Sequence, residues 1–359
     1  MEAEGRQNHI DALRGLAVSL MVMVHAAATW NPFSSTQATP LAYFVSGLGG
    51  LAAPLFVTLL GWGLMKSKLT PHQRWTRGLF LVACQFLVNI SAPHLFEPFT
   101  PGVLSLLGLL IISEPLWSWP LRTSKHTTRS FAAMSLACFT MIFIFPEIQG
   151  DGQWSSRTQS NSINMVAQHL IFTGTYPLFP WFLFAVLGGL ICRLKGEEHK
   201  TFFTGMLTFG LIFTSLTFAW AFWANQTWAL PSGNALLTFF PANAPFLIAA
   251  ITGTLILWAV ARQSLGKSVL LARAGRCSLS VYVAHFLPFA ALHNIDQTYG
   301  WSLTLSALVV FCYTVLWLII GAYWYSKAPR TTLETLMRAI EGKQSRLPNR
   351  PEPERSDRD

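Results

Sequence analysis

The chain has 359 residues, 52% of them hydrophobic and only 11% charged, about half the charge of an ordinary soluble domain. That balance excludes a soluble globular protein, and apolar runs recurring along the whole length define a polytopic membrane protein. The net charge of +9 would suit a nucleic-acid partner, but the placement of the basic residues argues otherwise.

In chain order, hydropathy predicts ten spans near the roughly 20 residues a bilayer requires. They fall at about 10–30, 41–65, 78–95, 101–119, 130–146, 177–194, 201–224, 242–262, 275–293 and 303–326. The expected fold is all-α, with about ten transmembrane helices and both termini cytoplasmic. A transmembrane domain over 1–326 is followed by a tail over 327–359. Glu2, Glu4 and Asp11 precede or open the first span, so a retained first helix is expected rather than a cleaved signal peptide.

With the N-terminus inside, the cytoplasmic loops hold Lys66, Lys68, Arg74 and Arg77; Arg122, Lys125 and Arg129; Arg193, Lys195 and Lys200; and Arg262, Lys267, Arg273 and Arg276. The external loops hold Arg157 alone. This follows the positive-inside rule and places the cations against anionic headgroups. Membrane lipids are therefore expected partners and nucleic acid is not. Trp30, Trp62, Trp117, Trp119, Trp301 and Trp324 fall near span ends, as an aromatic belt predicts.

The longest external loop, 147–176, is polar. It is either an approach for a hydrophilic acceptor or a solvated connector. Cys84, Cys138, Cys192, Cys277 and Cys312 lie singly in apolar runs and are expected to be small buried hydrophobes, with no metal site. In the tail, "RTTLETLMRAIEGK" predicts a short amphipathic surface helix, and the polar remainder predicts disorder.

The first span, "DALRGLAVSLMVMVH", carries three ionisable side chains. Eleven helical steps from Arg14 to His25 turn about 1100°, so the two return to within roughly 20° of one face, about 16 Å apart along the axis. Asp11 lies one turn before Arg14 on nearly the same side. Such groups are costly against lipid and should face the bundle or a wet cavity. Arg14 paired with Asp11 is also what a plain interfacial snorkel would look like, and His25 alone could be a hydrogen-bonded packing group. A second stripe, Ser278, Tyr282 and His285, recurs on one face of the ninth span. It either lines the same cavity or packs as polar glue between helices. Asn89 and Glu114 are further intramembrane polar residues and pocket candidates.

"IDALRGLAVSLMVMVH" resembles the first-helix signature of the transmembrane acyltransferases, and its Arg-x10-His spacing resembles that of acyltransferase family 3. The rest of the chain is closer to the bacterial and archaeal relatives of heparan-alpha-glucosaminide N-acetyltransferase. "AAPLFVTLLGWGL" (Ala52 to Leu64), "PGVLSLLGL" (Pro101 to Leu109), "YPLFPWFLFAVLGGLI" (Tyr176 to Ile191) and "AGRCSLSVYVAHF" (Ala274 to Phe286) resemble that group's segments in the expected order. Ser105 and Leu106 stand where those relatives carry Gln-Arg; if that pair contacts the donor, binding there differs in detail.

The resemblance implies an acyltransferase that takes acetyl-CoA from the cytoplasm and acylates a hydroxyl or amine of a glycan or lipid-linked sugar outside, in the plasma membrane of a prokaryote. His25, Arg14 and Asp11 would be catalytic. Arg14, Asn89, Ser278, Tyr282 and His285 would contact the donor, with no metal. His25 would serve as general base or as a covalent acetyl carrier, and Arg14 would meet the CoA phosphates, with Arg74, Arg77 or Arg276 as further candidates. The competing reading is a polytopic transporter without covalent chemistry, which would use scattered intramembrane polar residues equally well.

Overall fold

A computed structural model describes residues 7–32 and 40–342. In chain order the helices are α1 (Asn8–Trp30), α2 (Pro40–Gly50), α3 (Ala52–Lys66), α4 (Pro71–Ser91), α5 (Val103–Ile112), α6 (Glu114–Thr123), α7 (Thr127–Ile144), α8 (Trp154–Thr158), α9 (Ile163–Gln168), α10 (Leu178–Arg193), α11 (Gly196–Trp223), α12 (Ala244–Gln263), α13 (Val269–Arg276), α14 (Ser278–Ala284), α15 (Phe289–Tyr299), α16 (Leu303–Lys327) and α17 (Leu333–Ile340). A two-stranded ribbon, β1 (Ala229–Ser232) with β2 (Leu237–Phe240), lies between α11 and α12. The protein is all-α in class.

Six helices among the described residues are long and apolar enough to cross a membrane: α1, the joined α2–α3, α7, α11, α12 and α16. Two bent pairs bring the number to eight. One is α5–α6, bent by 58° at Ser113–Glu114–Pro115; the other joins the α9 region to α10, bent by 48°. The remaining expected spans fall on α4 and on the run α13–α15. α4 begins at Pro71, seven residues before the hydropathy onset, because Thr70 and Gln73 form a reciprocal capping box and Pro71 fits the first helical position. Its first two turns are therefore polar. The α13–α15 run, expected as a single span, is three short helices and is not among the candidate crossings.

Burial separates centre from perimeter. Two-thirds of the apolar window of α1 is buried (67%), against 11% for α11 and 17% for α7 and α16. Leu136, Phe143, Leu216, Phe218, Leu308 and Phe311 on those outer helices face outward, as lipid-facing residues must. Cations collect at particular helix ends, including the last turn of α13 with Arg273 and Arg276. Lys66, Arg122, Arg193, Arg262 and Lys327 sit in the last turns of α3, α6, α10, α12 and α16, while α1, α4, α7 and α11 end without one. A cation there complements the helix dipole as well as the headgroups.

The centre is held by close backbone approach. A Cβ on Gly15 would lie 2.0 Å from the Leu271 carbonyl oxygen, and one on Gly275 would lie 1.9 Å from that of Asp11. These two glycines interlock α1 with α13, the small-residue packing that membranes favour. Two expectations change. Trp30 and Trp117 are not belt residues but core, 2% and 7% exposed, and Trp117 Nε1 donates to the Leu110 carbonyl at 2.9 Å. Of the cysteines, Cys84, Cys138 and Cys277 are buried, but Cys192 is half-buried and Cys312 faces outward.

At the Trp30 end, residues 146–177 fold into a cap around Arg157. This buried side chain donates to the carbonyls of Asp151, Gln149, Thr173 and Gly174 at 2.7–3.1 Å. Burial lowers its pKa to about 10, leaving it charged at neutral pH. The cap is stitched to the α4–α5 connector by Trp154 Nε1 donating to Leu95 O at 3.1 Å and by the Ser160 hydroxyl and amide donating to Glu97.

Candidate functional site

The geometry is built on the two central elements, α1 and the broken run α13–α15. His25 lies four turns along α1 from Asp11, and His285 follows the last residue of α14. The fold brings them together: Nδ1 of His25 lies 3.1 Å from Nε2 of His285. Both rings are buried, 8% and 0% exposed, and are nearly parallel, 10° apart. Phe286 packs on His25 at 4.6 Å and Tyr282 meets it edge-on at 5.9 Å. Phe96 of the α4–α5 connector reaches Phe286 at 6.2 Å on one side and Trp154 of the cap at 5.9 Å on the other.

The hydrogen bonds order the protons. Nδ1 of His285 lies 3.2 Å from the Val281 carbonyl. A carbonyl only accepts, so this nitrogen carries the proton. Nε2 of His285 is then the acceptor for the Nδ1–H of His25. In the neutral pair this leaves Nε2 of His25 with a lone pair. That nitrogen has no hydrogen-bond partner among the described residues. The backbone is pinned alongside: the Tyr313 hydroxyl donates to the His285 carbonyl.

Arg14 and Asp11 sit together at the basic end, roughly 16 Å down the same helix by its rise. Asp11 bridges two guanidinia, Arg14 Nη1 at 3.4 Å and Arg276 Nε at 3.0 Å. The Gly15–Gly275 contact delivers Arg276 to this position. The Arg14 side chain is 36% exposed, the more open of the two. Arg74 and Arg77 are engaged elsewhere. Arg74 pairs with Glu114 at 3.4 Å, and Arg77 binds Glu341 through two hydrogen bonds, 2.6 and 3.0 Å.

The other candidates separate. Tyr282 is within the imidazole cluster. Ser278 is half-buried at the start of α14, two turns from His285. Asn89 is away from the pair: its amide donates to Pro98 O and Thr100 O at 3.0 and 2.8 Å and accepts from Gln85 at 2.8 Å, bracing the α4–α5 connector. Glu114 serves α6, held by Arg122 at 2.8 Å and Ser118 at 2.6 Å. Sequence reasoning missed Glu334 of α17, which reaches α14. An acid at an amphipathic tail helix carries no signal of that contact.

Beyond His25, the Thr29 hydroxyl donates to the His25 carbonyl at 3.0 Å and lies 3.3 Å from Nε2 of His94. His94 stacks on His293, centroids 4.2 Å apart. An open cavity of about 260 Å³ at this end is lined by Trp30, Asn31, Asp296, Gln297 and Trp301.

Fold and site together define an integral-membrane protein whose central helices bury an imidazole pair toward the Trp30 end and a carboxylate-bridged pair of guanidinia at the basic end. Comparison with protein families adds the chemistry. Residues 6–219 match the family described as heparan-alpha-glucosaminide N-acetyltransferase, catalytic. Residues 192–343 match a second, described as protein of unknown function (DUF418). The first match covers more than half of the chain, so the protein belongs to the family of transmembrane acetyltransferases like heparan-alpha-glucosaminide N-acetyltransferase. These matches bear on that likeness and not on the Arg14–His25 spacing. No curated protein matches the chain.

Proposed function

We propose that this protein transfers an acetyl, or another short acyl, group from cytoplasmic acetyl-CoA to a hydroxyl or amine of a glycan or glycolipid on the external side. The observation that carries this reading is the buried His25–His285 contact of 3.1 Å inside a chain of an acetyltransferase family. The lone pair on His25 Nε2 takes the proton from the acceptor O–H or N–H as that atom attacks the thioester carbonyl. The new C–O or C–N bond forms, the C–S bond breaks, and its electron pair leaves on sulfur. The proton held by His25 then passes to the CoA thiolate. His285 holds His25 in the tautomer this requires. The same lone pair would serve if His25 carried the acetyl group covalently between donor and acceptor, which ping-pong kinetics would reveal.

In this reading the basic end is cytoplasmic. Arg14, with Arg276 beside it on Asp11, meets the CoA phosphates, and the acyl arm extends along α1 toward His25. The acceptor enters from the Trp30 end, under the cap. The corresponding location is the plasma membrane of a prokaryote.

The test is acetyl-CoA thioester cleavage by the purified protein, wild type beside His25→Ala. The expected loss is about 10²-fold or more, the usual contribution of a positioned general base, with CoA still bound. Equal cleavage in both proteins, or none by wild type, would return the pair to a packing role and bring the transporter reading forward.

A further inference from the structure

The ninth span breaks at Cys277, where α13 ends and the seven-residue α14 begins. A helix start leaves backbone N–H groups without intrahelical partners, and here they are inside the protein. Two of them, at Leu279 and Ser280, are satisfied by a side chain from the C-terminal tail, 54–55 residues further along. One carboxylate oxygen of Glu334 accepts from the Leu279 amide at 2.7 Å and the Ser280 amide at 3.4 Å. The other accepts from the Ser280 hydroxyl at 2.6 Å. The Ser280 oxygen in turn accepts from the Leu333 amide at 2.7 Å. This is a reciprocal lock between two helix starts, α14 and α17. The far end of α17 is tied independently, through Glu341 to Arg77 of α4.

We infer that Glu334 is a positioning residue for His285: the tail helix sets the register of α14, and α14 sets the imidazole. His285 lies five residues beyond Ser280, and its ring is bonded within the same helix to Val281. A slip or rotation of α14 therefore moves Nε2 relative to His25, whose own helix is fixed by the glycine interlock. The other end of α14 is held at its backbone by Tyr313. With Glu334 removed, the helix would pivot about that contact. Burial raises the pKa of Glu334 while the donors from Ser280 and Leu279 oppose the shift, as befits a carboxylate kept in place for its hydrogen bonds.

The functional half of this inference rests on the acetyltransferase reading; the structural half does not, and the experiment separates them. In a protein whose only cysteine is Cys277, fully buried at the break (0% exposed), the rate of labelling by a membrane-permeant maleimide reads the looseness of α14. Glu334→Ala should raise that rate at least about tenfold, with gel-filtration profile and helical circular dichroism unchanged. Glu334→Gln, which keeps an acceptor oxygen for the two amides, should stay within about threefold of wild type. In acetyl transfer, Glu334→Ala should lower kcat about tenfold with KM for acetyl-CoA unchanged, and Glu334→Gln should restore most of it. If Glu334→Ala does not fold, Ser280→Ala makes the comparison, since it removes both hydroxyl bonds and keeps the amide ones. Unchanged Cys277 labelling in the alanine variants overturns the inference, as does a parallel shift of kcat and KM. If the wild type cleaves no thioester, the acetyltransferase reading fails, and the labelling alone decides whether Glu334 holds α14.

Discussion

Replacing His285 by Phe is the sharpest test of the imidazole pair. The substitution keeps an aromatic ring among Phe286, Phe289 and Trp317, which now surround His285, so the fold should survive. It removes the acceptor 3.1 Å from His25 Nδ1. A buried N–H left without a partner costs about 1–3 kcal/mol, and each 1.4 kcal/mol is roughly tenfold. His25 can escape that cost by moving its proton to Nε2 or by turning its ring, and either removes the lone pair from the acceptor's path. The transfer rate should therefore fall by about 5- to 150-fold. His285→Gln, whose side-chain oxygen can accept from Nδ1–H, should retain about tenfold more activity than Phe. The assay is single-turnover acetyl transfer from acetyl-CoA, which isolates chemistry from product release. Because the two residues act as a unit, His25→Ala combined with His285→Phe should be no slower than His25→Ala alone. A His285→Phe enzyme with the wild-type rate constant, or strictly multiplicative losses in the double variant, would refute the argument that His285 orients His25.

Three further outcomes are expected. Gly275→Ala places a methyl group 1.9 Å from the Asp11 carbonyl, so α1 and α13 must part; overpacking of this kind costs about 1–3 kcal/mol, and the melting temperature in detergent should fall accordingly. Arg14→Gln should raise KM for acetyl-CoA more than it lowers kcat, since the guanidinium is assigned to the donor and not to the reacting atoms; a steady-state titration decides. His94 is held at a pKa of about 4 by burial, with His293 adding to the effect. The folded state then binds fewer protons than the unfolded state between pH 6.5 and 4. Stability from this group is complete above pH 6.5 and is lost as the pH falls toward 4. Water screens the open side of the ring, so the loss should be on the order of 1 kcal/mol, and thermal melts of His94→Gln should show a smaller drop on acidification.

What was legible in the sequence was whatever a single helix encodes. The phase of Asp11, Arg14 and His25 followed from 3.6 residues per turn, and hydropathy placed α1, α11, α12 and α16 within a few residues. Where capping chemistry opposed hydropathy, as at Thr70–Gln73, hydropathy alone misplaced the start of α4. Contacts between helices were not legible. Polarity inside a span singles out Asn89 and Glu114 as readily as His285, yet Asn89 braces a connector and Glu114 neutralises two arginines. A buried polar group must be satisfied, and the sequence does not say by whom. The same holds for Trp30 and Trp117, whose positions at span ends suggested a belt while their indoles face the core. Glu334 is the extreme case, because its partners are backbone amides about 54 residues away, and an amide has no residue identity to detect.

The two halves of the candidate site lie on the same two elements, and that shared support is what makes the distance between them meaningful. Arg14 and His25 are fixed on α1 by the helical rise alone. Their partners, Arg276 and His285, stand on opposite sides of the Cys277 break. On the basic side, Arg276 is tied to α1 by the glycine interlock and by Asp11, so it has little freedom of its own. On the other side, α14 is joined to α13 through Cys277, whose amide donates to the Ala274 carbonyl and whose carbonyl accepts from the Val281 amide; the regular helical ladder is interrupted there, and with it the rigid relation between donor end and imidazole. The lock at Glu334 therefore stands at the one place in this pair of elements where the guanidinium-to-imidazole spacing could drift. A straight, unbroken ninth span would not need it. His285, beyond the break, meets His25 at 3.1 Å, and the tail braces the short helix that precedes it through Glu334.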